Sequence, residues 1–164
     1  MESTFEQIKS KIQDWQTAKL TIMNWQENGQ RVVFTNGCFD ILHYGHLHYL
    51  SSAADLGDRL VIGLNSQRSV RRLKGKHRPI NDDLTRLFML AGLGFVSLVV
   101  EFEEDTPLEL ITLLLPDILV KGGDYKPHEI IGAETVIMNG GEVLSLPFVQ
   151  GYSTTNIEQK IKAS

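Results

Sequence analysis

The sequence predicts an α/β protein, a doubly wound parallel sheet of about five strands with helices on both faces, and two observations carry that expectation. Short apolar runs rich in β-branched residues recur at Arg31 to Phe34, Arg59 to Leu64, Ser97 to Glu101, Ile118 to Val120 and Glu142 to Leu146. Segments with apolar residues at helical intervals separate them. Strands that alternate with helices need crossover connections, which make the strands parallel and lay the helices over the sheet. In such sheets ligands bind beyond the carboxyl ends of the strands, near the switch in strand order.

Ahead of the first strand, Asp14 is expected to cap a helix with Trp15, Ala18, Ile22 and Trp25 on one face. Gly29 ends it, and residues 1–11 offer an additional helix. This helical extension, 1–29, precedes the main domain, 30–164. Its apolar face needs a partner, either its own sheet or a second subunit, so a homodimer is one expectation. After strand one come a glycine turn and a helix over Leu47 to Leu56; after strand two, a short helix from Ser66 to Leu73. Asn81 is expected to cap a helix over Asp82 to Leu93. Following strand three, Thr106-Pro-Leu-Glu109 reads as a capping box with proline at the first helical position, starting a helix to Leu115. Strand four leads to a helix over Ala133 to Met138 that stops at Asn139-Gly-Gly141. Strand five and a helix from Thr154 to Ile161 close the chain.

With 164 residues and 42% hydrophobic content, the chain is sized for one compact domain with a real core. Cys38 is the only cysteine, which excludes an intrachain disulfide framework, and Met1-Glu-Ser-Thr-Phe-Glu lacks the basic and apolar regions of a signal peptide. A cytoplasmic location is the expectation. The longest apolar candidate, Ile111 to Val120, is broken by Pro116 and Asp117 and falls well short of the roughly 20 residues that span a bilayer, so no membrane partner is expected. A net charge of −4 argues against general nucleic-acid binding. Yet Arg71, Arg72, Lys74, Lys76 and Arg78 fall within eight residues. They read either as a solvated helix end or, because Gly75 and Pro79 punctuate the run, as a mobile loop suited to folding over a polyphosphate.

The chemistry concentrates at strand ends. Phe34-Thr-Asn-Gly-Cys-Phe-Asp-Ile-Leu-His-Tyr-Gly-His46 joins a strand end, a glycine turn and two histidines three residues apart. A helix N-terminus there attracts anions through its unpaired N–H groups, and His43 and His46 can donate ring N–H bonds to oxygens that gain charge. A zinc pair or plain surface histidines are the competing readings, and no further ligands at metal-site spacing accompany the pair. Lys121-Gly-Gly-Asp-Tyr125 follows strand four, where glycines let backbone approach a base or ribose and Asp124 accepts from a hydroxyl or simply makes a turn. Gly151-Tyr-Ser-Thr-Thr155 follows strand five as an N-cap or a phosphate site.

The segment from Phe34 to His46, followed downstream by Ser153-Thr-Thr-Asn156, resembles the signatures of the nucleotidyltransferase superfamily. With Leu73-Lys-Gly-Lys-His-Arg-Pro79, Phe102-Glu-Glu-Asp-Thr-Pro107 and Leu119-Val-Lys-Gly-Gly-Asp-Tyr-Lys-Pro127, about four-fifths of the chain is similar to the bacterial heptose 1-phosphate adenylyltransferases. That resemblance implies a Rossmann-like sheet and an enzyme that joins ATP, with Mg²⁺ bridging its phosphates, to a sugar phosphate. It implies catalytic roles for His43, His46 and Lys74. It further implies nucleotide contacts from Asn36, Gly37, Cys38, Phe39, Asp40, Gly45, Arg78, Lys121, Gly122, Gly123, Asp124, Ser153, Thr154 and Thr155, and no metal ligands from the protein. Cys38 stands where related cytidylyltransferases carry Thr, so no strong hydroxyl donor is present there. A glycerol-3-phosphate-type cytidylyltransferase and a non-catalytic nucleotide sensor are the alternatives. Because 30 residues before strand one are too few for another catalytic domain, a stand-alone form supplied by a separate kinase is expected.

Overall fold

The computed structural model describes residues 2–164; Met1, the first residue of the expected helical extension, lies outside them. Strands β1 (Val32–Gly37), β2 (Arg59–Asn65), β3 (Leu98–Phe102), β4 (Ile118–Gly122) and β5 (Glu142–Leu146) form one sheet in the order β3-β2-β1-β4-β5. Every pairing is parallel. The order reverses beside β1, and the carboxyl ends of β1 and β4 flank the crevice that this reversal leaves open.

Helices cover both faces: α1 (Thr4–Ser10), α2 (Trp15–Glu27), α3 (Tyr44–Ala54), α4 (Gln67–Lys74), α5 (Asp83–Ala91), α6 (Leu108–Leu114), α7 (Ala133–Met138) and α8 (Thr154–Ala163). Strand periodicity divides the core in two. Val32 and Phe34 of β1 join Ala18 and Ile22 of α2 and Leu110, Ile111 and Leu114 of α6 on one face. Val33, between them, points to the other face with Leu50 and Ala53 of α3 and Leu90 and Ala91 of α5. Because both faces are covered, β2 reads as a nearly continuous apolar run rather than an alternating one.

The N-terminal helices are layered on this sheet. Asp14 caps α2, accepting from the N–H groups of Gln16 and Thr17, and Gly29 leaves the helix with φ +76°. Ala18 and Ile22 are fully buried, and Trp15 Nε1 donates to the Glu101 carbonyl at 2.8 Å. Of the two partners weighed for this face, the chain's own sheet supplies one, with Trp15 and Trp25 half-buried beside Ala18 and Ile22. The segment between α1 and α2 also bridges β3, with Gln13 N–H bonded to the Val99 carbonyl and Val99 N–H to the Lys11 carbonyl. That pairing protects an otherwise open sheet edge.

Two helix starts differ from expectation. Asp82, not Asn81, caps α5 by accepting from Thr85 N–H, since Asn81 is engaged elsewhere. At α6 the capping box does not form: Pro107 occupies the N-cap position without a side-chain bond, and the helix closes at Leu115 in a left-handed conformation ahead of Pro116. No helix among the described residues is long and apolar enough to cross a membrane.

Candidate active site

At the end of β1 the chain turns through Cys38 to Leu42 and enters α3 with His43 at its N-cap. α3 begins at Tyr44, three residues before the expected Leu47, because its first turn faces a ligand cavity and carries no apolar signal. Phe39 takes φ +42°, a conformation that a non-glycine residue holds only when its surroundings enforce it. Arg86, fully buried on α5, supplies part of that enforcement. Its Nη1 donates at 2.8 Å both to the Cys38 carbonyl in the turn and to the Asn65 carbonyl at the end of β2, while Nη2 bonds Asp83.

The two histidine rings stack with centroids 3.8 Å apart and planes 23° from parallel, and Phe39 packs edge-on against His46. Both Nδ1 atoms are covered and have no protein partner, so the pair holds hydrogen-bonding capacity that only a ligand or water can satisfy. Burial, then the positive charges of His43 and Lys74, lowers His46 to about 4, and burial also lowers His43. Two neutral imidazoles can stack this closely, whereas two imidazoliums would repel unless an anion lay against them.

The N-terminus of α8 approaches that of α3. Tyr152 packs against Tyr44 with centroids 5.0 Å apart, and a Cβ on Gly45 would lie 3.1 Å from both the His43 ring and Tyr152 Cβ. Glycine at position 45 therefore lets the two helix ends close on each other. Ser153 caps α8 by accepting from Asn156 N–H at 3.0 Å, leaving its hydroxyl proton and the Thr154 and Thr155 hydroxyls at the mouth of the crevice.

α8 buries none of its own residues, and an ion-pair relay ties it down. Glu158 accepts from Arg78 Nη1 at 3.1 Å, and Arg78 Nε donates to Asp40 at 2.8 Å. Asp40 also accepts from the N–H groups of Ile80 and Asn81, and the Asn81 side-chain amide donates to the Asp40 carbonyl. Burial alone would raise the Asp40 carboxyl, but these backbone N–H groups and the Arg78 guanidinium together hold it below the usual carboxylate range.

A cytidylyltransferase-like family model matches residues 34–160, a span that includes both the histidine turn and the start of α8. The chain belongs to the cytidylyltransferase-like family. Membership makes it a nucleotidyltransferase domain. Among curated relatives, it is 58% identical over 134 residues to the bifunctional protein HldE of Histophilus somni, covering 82% of this chain and 28% of that protein. It is 52% identical over 162 residues to bifunctional protein HldE of Magnetococcus marinus, covering 99% of this chain and 33% of that one. The chain thus spans about a third of the length of the curated relatives it matches. Among solved structures, the lipopolysaccharide core biosynthesis protein of Thermoplasma volcanium matches with TM-score 0.61 and 30% identity, over 76% of this chain and all of that one. Pantoate-β-alanine ligase of Francisella tularensis, at 14% identity and TM-score 0.58 over 92% of this chain and 76% of that one, shares the fold.

Seen as a family site, one cavity of about 790 Å³ gathers most of the expected residues: Asn36, Gly37, Cys38, Phe39, His43, Gly45, His46, Lys74, Arg78, Lys121, Gly122, Ser153, Thr154 and Thr155. Three do not line it. Asp40 is 3% exposed and its carboxylate is consumed by internal donors, so it positions the 78–81 loop rather than touching a ligand. Gly123, at φ +121°, makes the turn beyond β4, and Asp124 is exposed beside it. Arg78 lines the cavity, but its guanidinium is held by Asp40 and Glu158, so the free cation on this side is Lys74, which has no ion-pair partner among the described residues. Lys121 also faces in, half-buried, and burial lowers its ammonium.

Sequence reasoning missed Asn65, Arg86, Thr106, Phe148 and Tyr152. Arg86 carried a readable signal, since it lies four residues before Leu90 on the apolar side of an amphipathic helix. Asn65 closes β2 as its last residue, and Thr106, Phe148 and Tyr152 sit beyond strand ends in segments without periodicity.

The buried histidines give a pH expectation. In the folded protein they are held neutral, so below the ordinary value of 6.5 the unfolded chain binds more protons than the folded one. Their contribution to stability is whole above that value and declines as pH falls towards about 4, the folded value of His46. The contribution of Asp40 is lost only below its unfolded value of 3.8, outside this window. Denaturant unfolding should show the decline, and saturating tripolyphosphate should flatten it by pairing with the imidazoliums. A midpoint unchanged from about pH 7 to about pH 4.5 would mean that the rings are not held neutral.

Proposed function

We propose that this chain transfers AMP from ATP to D-glycero-β-D-manno-heptose 1-phosphate, releasing pyrophosphate and forming ADP-heptose for lipopolysaccharide core synthesis. The observation that carries the reading is the stacked His43–His46 pair set between two converging helix N-termini, at the centre of a cavity large enough for a nucleotide and a sugar phosphate. The motif resemblance, the HldE relatives and the lipopolysaccharide core biosynthesis neighbour support the choice of acceptor.

An oxygen of the sugar's anomeric phosphate attacks the α-phosphorus of ATP in line. A new P–O bond forms, the bond to the β-phosphate oxygen breaks, and pyrophosphate leaves with the electron pair. The acceptor phosphate is already anionic, so no protein nucleophile or general base is required. The protein aligns the reactants and meets the charge that spreads over the α-phosphate and leaving group. Backbone N–H groups of the Cys38–Phe39 turn and of α3 face the phosphates, the imidazoles donate to their oxygens, and the start of α8 holds the pyrophosphate end. Bound Mg²⁺ would enter with ATP and supply charge neutralisation at its phosphates. The chain would hold it through the nucleotide rather than through a carboxylate, because the nearby Asp40 carboxylate is already taken by Arg78, Ile80 and Asn81. The acceptor is itself a sugar phosphate, and on this reading a kinase supplies it.

Purified protein with MgATP should release pyrophosphate only when heptose 1-phosphate is supplied, and should prefer ATP over CTP by more than about tenfold. Preference for CTP with glycerol 3-phosphate would move the chain to the cytidylyl branch. Binding of ATP without pyrophosphate release from any acceptor in a panel of sugar and polyol phosphates would mark a nucleotide sensor instead.

A further inference from the structure

The cavity has two arms that differ in chemistry. Towards β4 and β5 it is lined by Gly122, Phe148 and Val149, and the Phe148 ring lies so close to the strand that a Cβ on Gly122 would be 2.5 Å from it. That slot is flat and largely apolar, suited to a planar base. On the other side of β1, the ends of β2 and β3 contribute Asn65, Asp105 and Thr106, with Lys74 at the border. Lys74 is near enough to His46 to lower it, so this arm opens directly onto the phosphate centre.

Asn65 is 4% exposed and yet lines the cavity. Its Nδ2 donates to Ser69 Oγ at 3.0 Å, and Ser69 Oγ donates in turn to the Glu104 carbonyl at 3.1 Å. This relay fixes the amide: with the NH₂ group committed to Ser69, the carbonyl oxygen is left to the cavity. No donor among the described residues reaches Oδ1, and it is not among the fully covered side-chain atoms left without a partner. A nearly buried acceptor held in one orientation without a donor is a site for a ligand hydroxyl.

We infer that Asn65 is a specificity-determining residue for the acceptor, its Oδ1 accepting from a hydroxyl of a sugar 1-phosphate bound in the arm between β2 and residues 103–107. Lys74 meets that acceptor's phosphate. The inference rests on the reading that the chain is an adenylyltransferase with a sugar phosphate acceptor, and it names the group that holds the sugar. Arg86 gives the assignment its geometric sense. One guanidinium nitrogen bonds both the Asn65 carbonyl and the Cys38 carbonyl, so the residue that reads the acceptor and the turn that faces the α-phosphate are clasped together. In-line transfer depends on that relative placement.

Steady-state kinetics of Asn65→Ala provide the test. The KM for heptose 1-phosphate should rise about three- to tenfold, while the KM for ATP stays within about twofold. Ser69→Ala, which frees the amide to turn without touching the cavity, should give a smaller rise of the same sign. In a series of monodeoxy heptose 1-phosphates, one member should lose the same factor with the parent protein and nothing more with Asn65→Ala. Unchanged acceptor KM, or an equal rise in both KM values, overturns the assignment. Calorimetric titration of sugar 1-phosphates in the presence of α,β-methylene ATP separates this from the parent reading. If the parent protein binds a sugar 1-phosphate without turning it over and Asn65→Ala weakens that binding, the transferase reading falls and the subsite stands. If the parent protein binds no sugar 1-phosphate, both fall.

Discussion

Replacing His46 with alanine should lower turnover by about 10²-fold or more while changing nucleotide affinity far less. The expectation follows from what the pair lacks at rest. His43 and His46 stack at 3.8 Å with both Nδ1 atoms covered and unpartnered, and burial keeps His46 neutral down to about pH 4. On the proposed reading, a ground-state triphosphate already has the two helix N-termini to meet its charge. The imidazoles add most when charge grows on the α-phosphate oxygens and the departing pyrophosphate, so their loss falls on the transition state. His43→Ala should behave similarly, because removing one ring also frees the other to leave its position. The double variant should therefore cost little more than either single one, the mark of two groups acting as a unit. Single-turnover rates and titration with α,β-methylene ATP separate the two effects. Near-normal turnover in both single variants would remove the histidines from the chemistry.

Much of the fold was legible because its signals are local. Apolar runs, helical spacing and capping residues marked every strand and nearly every helix, and the alternation of the two dictated a parallel sheet. The histidine turn and the Ser153-Thr-Thr155 start of α8 were legible for the same reason, since each places its chemistry in a contiguous stretch at a strand end. What stayed hidden depends on partners far away in sequence. Asp40 looked like a nucleotide contact because it neighbours the turn, but its carboxylate is consumed by Arg78, Ile80 and Asn81, some 40 positions on. Asn81 looked like a helix cap because its residue type suits one, and the same Asp40 diverts it. Arg78 looked like a free cation in a basic run, yet two carboxylates from opposite ends of the chain hold it. Charge and type are visible in a sequence, whereas which groups have already been satisfied is a property of the folded chain.

Arg86→Met should destabilise the protein by about 3 kcal/mol and also lower turnover, although the residue touches no substrate. Methionine fills a similar volume and adds no charge, so the loss isolates the guanidinium. Two carbonyls, at Cys38 and Asn65, would lose their shared donor, and a buried acceptor left unpaired costs about 1–3 kcal/mol. Two terms act against this. Asp83 has a side chain 33% exposed and can rehydrate once its partner is gone, and the Arg86 Nε that is buried without a partner disappears with the substitution. The net figure therefore falls near the middle of the range rather than at its sum. Turnover should fall as well, because the turn held by that bond contains Phe39 at φ +42°, which relaxes towards ordinary backbone when the Cys38 carbonyl is released. Arg86→Lys keeps the charge but offers one nitrogen where three bonds diverge, so it should recover little of either loss. Urea unfolding measures the first effect, and turnover at saturating substrates, taken where each variant is fully folded, measures the second. A Met variant within about 1 kcal/mol of the parent, or one as active as the parent once folded, would show that the turn and β2 stay aligned without the clasp.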